Sequence, residues 1–321
     1  MSTTLNSIGI LYPDGTQSYT LNRFKKAIFG YGGLATFTSS VFSITNLINM
    51  NGGVGTDTTG VGTARYALGA ASYGGDRVIF GYGKTGSGNA TVVSLTNLVS
   101  NLGIVGGDVT GVGTARFAPA SVGYGLDKAI FAFGTNTSGT TVDVSNLVSN
   151  TGVVANDVSN SGYANIRRAY SAGASYGFDK GFIDNSYVTG FGVMVFVDNL
   201  GIISATSPSV TVIKTSAGAA CYGGDKAVFA YGSDASGATA TAQFVSNTGV
   251  VANFGVTISG VGVRTALAAA SYGGDKVIFG YGLGGSNLNS TCLMSNTGVF
   301  TADITGVGTA RSYLAGAGYG S

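Results

Sequence analysis

The chain has 321 residues, of which 55 are glycine and 3 proline; histidine and tryptophan are absent and only 9% of residues are charged, against roughly 25% in an ordinary soluble domain. A net charge of +2 spread along the chain leaves no basic face to neutralise a phosphate backbone, so nucleic acid is not an expected partner. Apolar runs are broken by Asp-Lys or Asp-Arg pairs well short of the roughly 20 residues a spanning helix needs, so no membrane insertion is expected.

Residues 1–22 stand apart from the rest of the chain. "MSTTLNSIGILYPDG" lacks the basic and apolar regions of a secretory signal, and the expected place of synthesis is a cytoplasm. Pro13, second in the tetrad Tyr12-Pro13-Asp14-Gly15, fits position i+1 of a β-turn and predicts a short hairpin.

From residue 23 the chain repeats itself, and a repeat decides the fold before any single element does. "GVGTARYALGAASYGGDRVIFGYG" at 60–83 returns as "GVGVRTALAAASYGGDKVIFGYG" at 260–282. An acidic-basic pair recurs at Asp76-Arg77, Asp127-Lys128, Asp179-Lys180, Asp225-Lys226 and Asp275-Lys276, in steps of 51, 52, 46 and 50. One step earlier stands Lys25-Lys26, without the acid. A basic residue precedes each Asp at Arg65, Arg116, Arg168, Lys214 and Arg264, and again at Arg311, where the chain runs out. The missing continuation of "RSYLAGAGYGS" is "KKAIFGYG" at 25–32. The first of six units is therefore split between the two ends of the chain.

Each unit carries two turn signals. One is "YGGD"; the other is the Asn-x-Gly at Asn101-Leu102-Gly103, Asn150-Thr151-Gly152, Asn199-Leu200-Gly201, Asn247-Thr248-Gly249 and Asn296-Thr297-Gly298. Both residue types accept positive φ, and the apolar runs between them predict four short antiparallel strands per unit. Strict alternation puts Val78, Phe80 and Tyr82 on one face of the second strand and Ile79 on the other. A sheet apolar on both faces must be covered twice, and radial stacking does this while leaving only short edges. The expected fold is all-β: a six-bladed β-propeller of four-stranded antiparallel blades over 23–321, closed by the C-terminal strand pairing with the N-terminal blade, with 1–22 as a docking hairpin.

Chemistry-bearing patterns are few. Cys221 and Cys292 have no CxxC spacing and read as small core residues. Gly81-Tyr82-Gly83-Lys84-Thr85-Gly86 matches G-x-G-x-x-G but opens no helix, so no nucleotide site is expected. Without histidine, and with few acids, a tuned general base is hard to find. No catalytic residue, cofactor or metal is expected. Arg65, Arg116, Arg168, Lys214, Arg264 and Arg311 fall on one face of the expected ring. They read as donors to loop carbonyls of their own or the next blade, with a basic ring for anions at the channel mouth as the alternative. The Asp-Lys pairs fall on the opposite face and read as turn formers. Loops after the second strand vary most, and the fourth unit departs furthest, with Asp184, Asn185, Tyr187 and Phe191. It reads as a drifted blade or a specialised contact edge.

The glycines around Tyr82 and Tyr281, with Arg65, Arg116 and Arg311 before the first strands, resemble the kelch family of β-propellers over nearly the whole chain from residue 23. The chain lacks that family's tryptophan, having Val153-Val154 and Val250-Val251 instead. Tyr12 to Gln17 resemble the I-x-F-P-D-G-T-x-Q segments of bacteriophage tail fibres and other structural proteins, and the repeat resembles kelch-type repeats of marine phages. These resemblances imply a phage virion component: a tail or baseplate appendage that recognises the host surface, or else a capsid decoration protein. The implied partners are other virion proteins, docked through Tyr12, Pro13, Asp14 and Gly15, and a host-surface glycan. A glycan-processing enzyme is disfavoured because the Asp-box repeat is absent. An outer-membrane barrel would carry a signal peptide and one polar face per strand.

Overall fold

The computed structural model describes residues 4–6, 9–11, 17–18, 24–34, 40–87, 91–160, 167–184, 194–206, 214–252 and 255–320. Among these there is no α-helix, and small antiparallel sheets account for nearly all regular structure. Three short strands, Thr4–Asn6, Gly9–Leu11 and Gln17–Ser18, form a sheet of their own. Leu11 pairs with Gln17 across the expected turn, but Tyr12, Pro13, Asp14 and Gly15 lie outside the described residues.

Six further sheets follow the six sequence units. In the second, Gly69–Tyr73, Arg77–Gly81 and Thr96–Val99 form a meander. The third begins with Ala120–Tyr124, the fourth with Gly173–Tyr176, the fifth with Gly218–Tyr222 and the sixth with Ala268–Tyr272. The first sheet joins the two ends of the chain: Ala315–Tyr319 pairs antiparallel with Lys26–Gly30, from Ala315 opposite Gly30 to Tyr319 opposite Lys26. Lys25 N–H then donates to the Gly320 carbonyl at 3.0 Å. The C-terminal strand thus takes the place that sequence periodicity assigns to it.

Four strands per unit are seen in the third, fourth and fifth sheets only. In the first, second and sixth the fourth segment touches the third strand at isolated bridges, such as Thr96–Val109 and Val99–Val105. A side chain fills the gap between the bridges: Asn97 Nδ2 donates to the Gly106 carbonyl at 3.1 Å, and Asn46 to that of Gly55 at 3.0 Å.

Six apolar cores lie between successive sheets. Ile28 and Tyr31 of the first sheet pack with Val78 and Phe80 of the second; Ile79 and Tyr82 of the second pack with Ala129 and Phe131 of the third. The series continues through the third and fourth, fourth and fifth, fifth and sixth, and closes with Tyr272 and Ile278 against Ala27 and Phe29. Both faces of every sheet are covered this way, which disposes of the exposed apolar face that an isolated meander would carry.

One assignment changes. Tyr82 shares a core with Ile79, not with Val78 and Phe80. Its φ of 64° breaks the strand alternation, and Tyr31, Phe133, Tyr231 and Tyr281 do the same with φ of 62–64°. The ring of Tyr82 meets Phe131 of the next sheet edge-on, with centroids 5.1 Å apart. Gly81 permits this approach, since a Cβ there would lie 2.8 Å from Phe131 Cζ.

Two circuits of backbone hydrogen bonds run through all six sheets. At one end, Ala67 N–H donates to Tyr313 O, Ala118 to Ala67, Tyr170 to Ala118, Ser216 to Tyr170, Ala266 to Ser216, and Tyr313 back to Ala266, at 2.7–3.1 Å. All six residues have φ between 49° and 60°, a left-handed conformation that costs a non-glycine residue about 1–2 kcal/mol. At the other end, Gly74, Gly125, Gly177, Gly223, Gly273 and Gly320 donate to Asp127, Asp179, Asp225, Asp275, Lys25 and Asp76 respectively, at 2.7–3.2 Å. Between the circuits, residues from all six first strands line one cavity of about 50 Å³. Those strands have no ladder partner on the cavity side, and serine hydroxyls supply one: Ser72 donates to Gly318 O, Ser175 to Gly123 O and Ser271 to Cys221 O, each at 2.8 Å. Tyr170 and Tyr313 come from the fourth and first sheets and meet at 5.9 Å, while Phe24 lines the cavity at the hairpin end.

Removal of residues 306–321 deletes the first strand of the first sheet and one member of each circuit. The truncated chain is expected to be insoluble or to melt far below the full chain in a thermal denaturation scan. Gly152, with φ of 86° and room for no Cβ, which would lie 3.0 Å from Leu98 Cδ2 and Tyr73 Cε2, tests the turn contact: Gly152→Ala is expected to destabilise by about 1–3 kcal/mol in urea unfolding.

Candidate functional site

The most unusual chemistry in the molecule is charge placed inside it. Arg65, Arg116, Arg264 and Arg311 are fully buried, and Arg168 and Lys214 are 3% and 2% exposed. They sit between sheets and form no exposed cationic ring at a channel mouth. The other reading of them, donors to loop carbonyls of their own or the next unit, matches their bonds.

Arg116 shows the design. Its guanidinium donates to Asn146 Oδ1 at 2.6 Å, to the Phe131 carbonyl at 3.2 Å and to the Thr114 carbonyl at 3.1 Å. One face lies 4.0 Å from the centroid of the Tyr82 ring in the preceding sheet, and Asp157 stands 3.9 Å away. Asn146 also donates to Asp157, and Thr114 holds the same carboxylate through its N–H and its hydroxyl. Arg65 repeats the set with Asn97, Tyr31, Thr63 and Asp108; Arg311 repeats it with Asn46, Tyr281, Thr309 and Asp57. In the sixth sheet Arg264 bonds Asp303 directly, and Cys292 stands where the first three sheets have asparagine. The backbone of each arginine serves as well: Gly83 N–H donates to Arg116 O at 2.9 Å, and Gly32, Gly134, Gly232 and Gly282 bond the next arginine alike.

The electrostatics follow from burial and bonding. Burial alone would raise the carboxyls of Asp57, Asp108 and Asp157. Hydrogen bonds from threonine and asparagine, with the arginine charge, outweigh it and hold all three below the usual carboxylate range. Tyr31 and Tyr170 are pushed up to about 12, chiefly by burial.

The fourth and fifth units lack this set. Val195 and Gln243 replace the asparagine, and Lys214 replaces an arginine. Asp184 compensates. It occupies the position of Gly81 or Ala132, accepts the Ala172 N–H at 2.8 Å through Oδ1, and its carbonyl accepts from Arg168 at 2.8 Å. Burial pushes its carboxyl up to about 7, against the Ala172 bond and the charges of Arg168 and Lys214. Burial likewise brings Arg168 down to about 10 and Lys214 down to about 8, with Asp184 opposing both. Lys214 Nζ donates to Thr241 O at 2.6 Å. One carboxylate thus serves two buried cations. Asn185, Tyr187 and Phe191, singled out beside it in the sequence, lie outside the described residues.

Sequence patterns alone do not single out the asparagines and aspartates, although each pair is separated by eleven residues. Among the described residues no group of three or more His, Cys, Asp or Glu is placed to hold a metal ion, and no helix is long and apolar enough to cross a membrane. Neither cysteine is in a disulfide, and both are buried. Comparison with protein-family models and with curated protein sequences finds no match.

Arg116→Ala is expected to cost about 3 kcal/mol or more in urea unfolding, because Asn146 and Asp157 lose the charge that holds them. Asp184 sets a pH dependence. Its native carboxyl binds a proton up to about pH 7, whereas an unfolded one releases it near 3.9. Its contribution to stability is complete below that lower value and is lost as pH rises towards 7. Thermal denaturation across that window is expected to show a fall that Asp184→Asn abolishes. The lowered Asp57, Asp108 and Asp157 act oppositely, their contribution being lost as pH falls below the usual carboxylate range.

Proposed function

We propose that the six sheets are the blades of a six-bladed β-propeller of the kelch-like kind. What supports this is the cyclic order of the six inter-sheet cores and of both backbone circuits, which return to their starting sheet after six steps.

The particular propeller we infer is a bacteriophage virion protein without catalytic activity, built into a tail or baseplate to recognise the host surface. The observation that carries this reading is the separation of its two ends. The chain enters the ring at Phe24 and Lys25, beside the hairpin circuit. The variable loops after the second strands, such as Asn136–Thr140 and Asp234–Gly237, leave from the arginine end. Attachment through residues 1–22 would therefore present the loops away from the particle, on a scaffold rigid enough to hold them.

A second reading, decoration of the capsid shell, has its own support. Ile104, Val153, Ile202, Val250 and Val299 occupy equivalent positions in five sheets and are 58–67% exposed, while no described aromatic is exposed as a platform for sugar stacking. Fitting the chain into a virion reconstruction separates the two. The first reading expects it at the tail or baseplate, loops outward, and expects purified protein to slow phage adsorption. Density on the capsid surface with unaltered adsorption would establish the second.

A further inference from the structure

The perimeter of the ring breaks its own repeat at one place. Beside the first and second sheets is an open groove of about 380 Å³ whose lining includes Lys26, Leu47, Ile48, Val54, Leu102 and Tyr319. Three departures create it. Gly53 stands where the other five units have Ile104, Val153, Ile202, Val250 and Val299, so the floor is left uncovered. Met50 replaces the asparagine that in other units reaches the hairpin aspartate, as Asn101 does to Asp76 at 3.1 Å. Lys25 replaces that aspartate itself. Arg77 and Lys128 pair with the acids that precede them, at 3.8 and 3.2 Å, whereas Lys26 follows another lysine.

The result is an apolar trough with the Lys26 ammonium at its wall, which forms no ion pair among the described residues. Leu102 in its wall is 67% exposed, aliphatic surface that water disfavours. The charge selects the occupant: an apolar segment carrying a carboxylate gains a charge-assisted bond to Lys26, while a basic segment is repelled. We propose that this groove docks a partner-protein segment with two or three aliphatic side chains adjacent to a carboxylate, either an acidic side chain or the end of its chain.

The probe is acetyl-Leu-Leu-Leu with a free carboxylate, titrated into the full-length protein and followed by amide chemical shifts, with its C-terminal amide as control. A half-open site of this size is expected to bind with a Kd on the order of 1 mM, with saturable shifts confined to Gly53, Gly55, Leu102 and their neighbours. The amide control and Lys26→Ala are each expected to bind about fivefold more weakly. Gly53→Ile fills the floor and is expected to abolish binding; its Cβ would lie 2.8 Å from Asn49 Nδ2, which has to turn aside, and Ile202 follows an equivalent cap, Asp198, so the variant is expected to fold with a modestly lower melting temperature. Leu102→Thr, the residue of three other units, tests the same wall if Gly53→Ile fails to fold, and is expected to weaken binding about fivefold. No saturable shift from the acid at about ten times that Kd, equal binding of acid and amide, or full binding by the folded variants would overturn the proposal.

Discussion

The pairing of Ala315–Tyr319 with Lys26–Gly30 is the contact on which the remaining structure rests. Every sheet here is apolar on both faces, so each needs two neighbours, and a linear stack would always leave two faces bare. Joining the ends inside one sheet removes the bare faces altogether. It also makes the closure a five-residue ladder with the same bonds as any other strand pair, so the seam is no weaker than the sheets on either side of it.

With apolar faces packed all round, the buried cations add polar contacts that reach across two sheets. A guanidinium that bonds an asparagine and loop carbonyls in its own unit while lying over a tyrosine of the previous one fixes two sheets at once. Its planar shape suits both tasks. The desolvation cost is met by the aspartate and by the tyrosine ring, as for Arg116 with Asp157 and Tyr82. Where the asparagine is lost, as at Val195 and Gln243, the charge is balanced from a different strand by Asp184. A carboxyl beside the buried cations is thus kept although its position in the chain is not.

Much of the fold was legible because repetition carries it. The split first unit followed from Arg311 having no Asp after it and from "KKAIFGYG" at 25–32 supplying the continuation that it lacks. The side of the sheet that Tyr82 faces was not legible, because strand alternation presumes extended backbone and φ is positive there. The positions of the six basic residues were evident, but whether they faced water or protein depended on Asn97, Asn146 and their aspartates, which lie about thirty to forty residues away in sequence. Asp184 stood out as a departure; its partners are assembled only in three dimensions, from two adjacent units.

The circuit through Ala67, Ala118, Tyr170, Ser216, Ala266 and Tyr313 is made by main-chain atoms alone. Its integrity is therefore indifferent to which side chains project from it, and the six positions hold alanine, serine and tyrosine without a break in the bonds. Tyr170 and Tyr313, from the fourth and first sheets, bring their rings within 5.9 Å of each other there, so the side-chain contacts at this end of the molecule can diverge while the backbone bonds beneath them stay fixed.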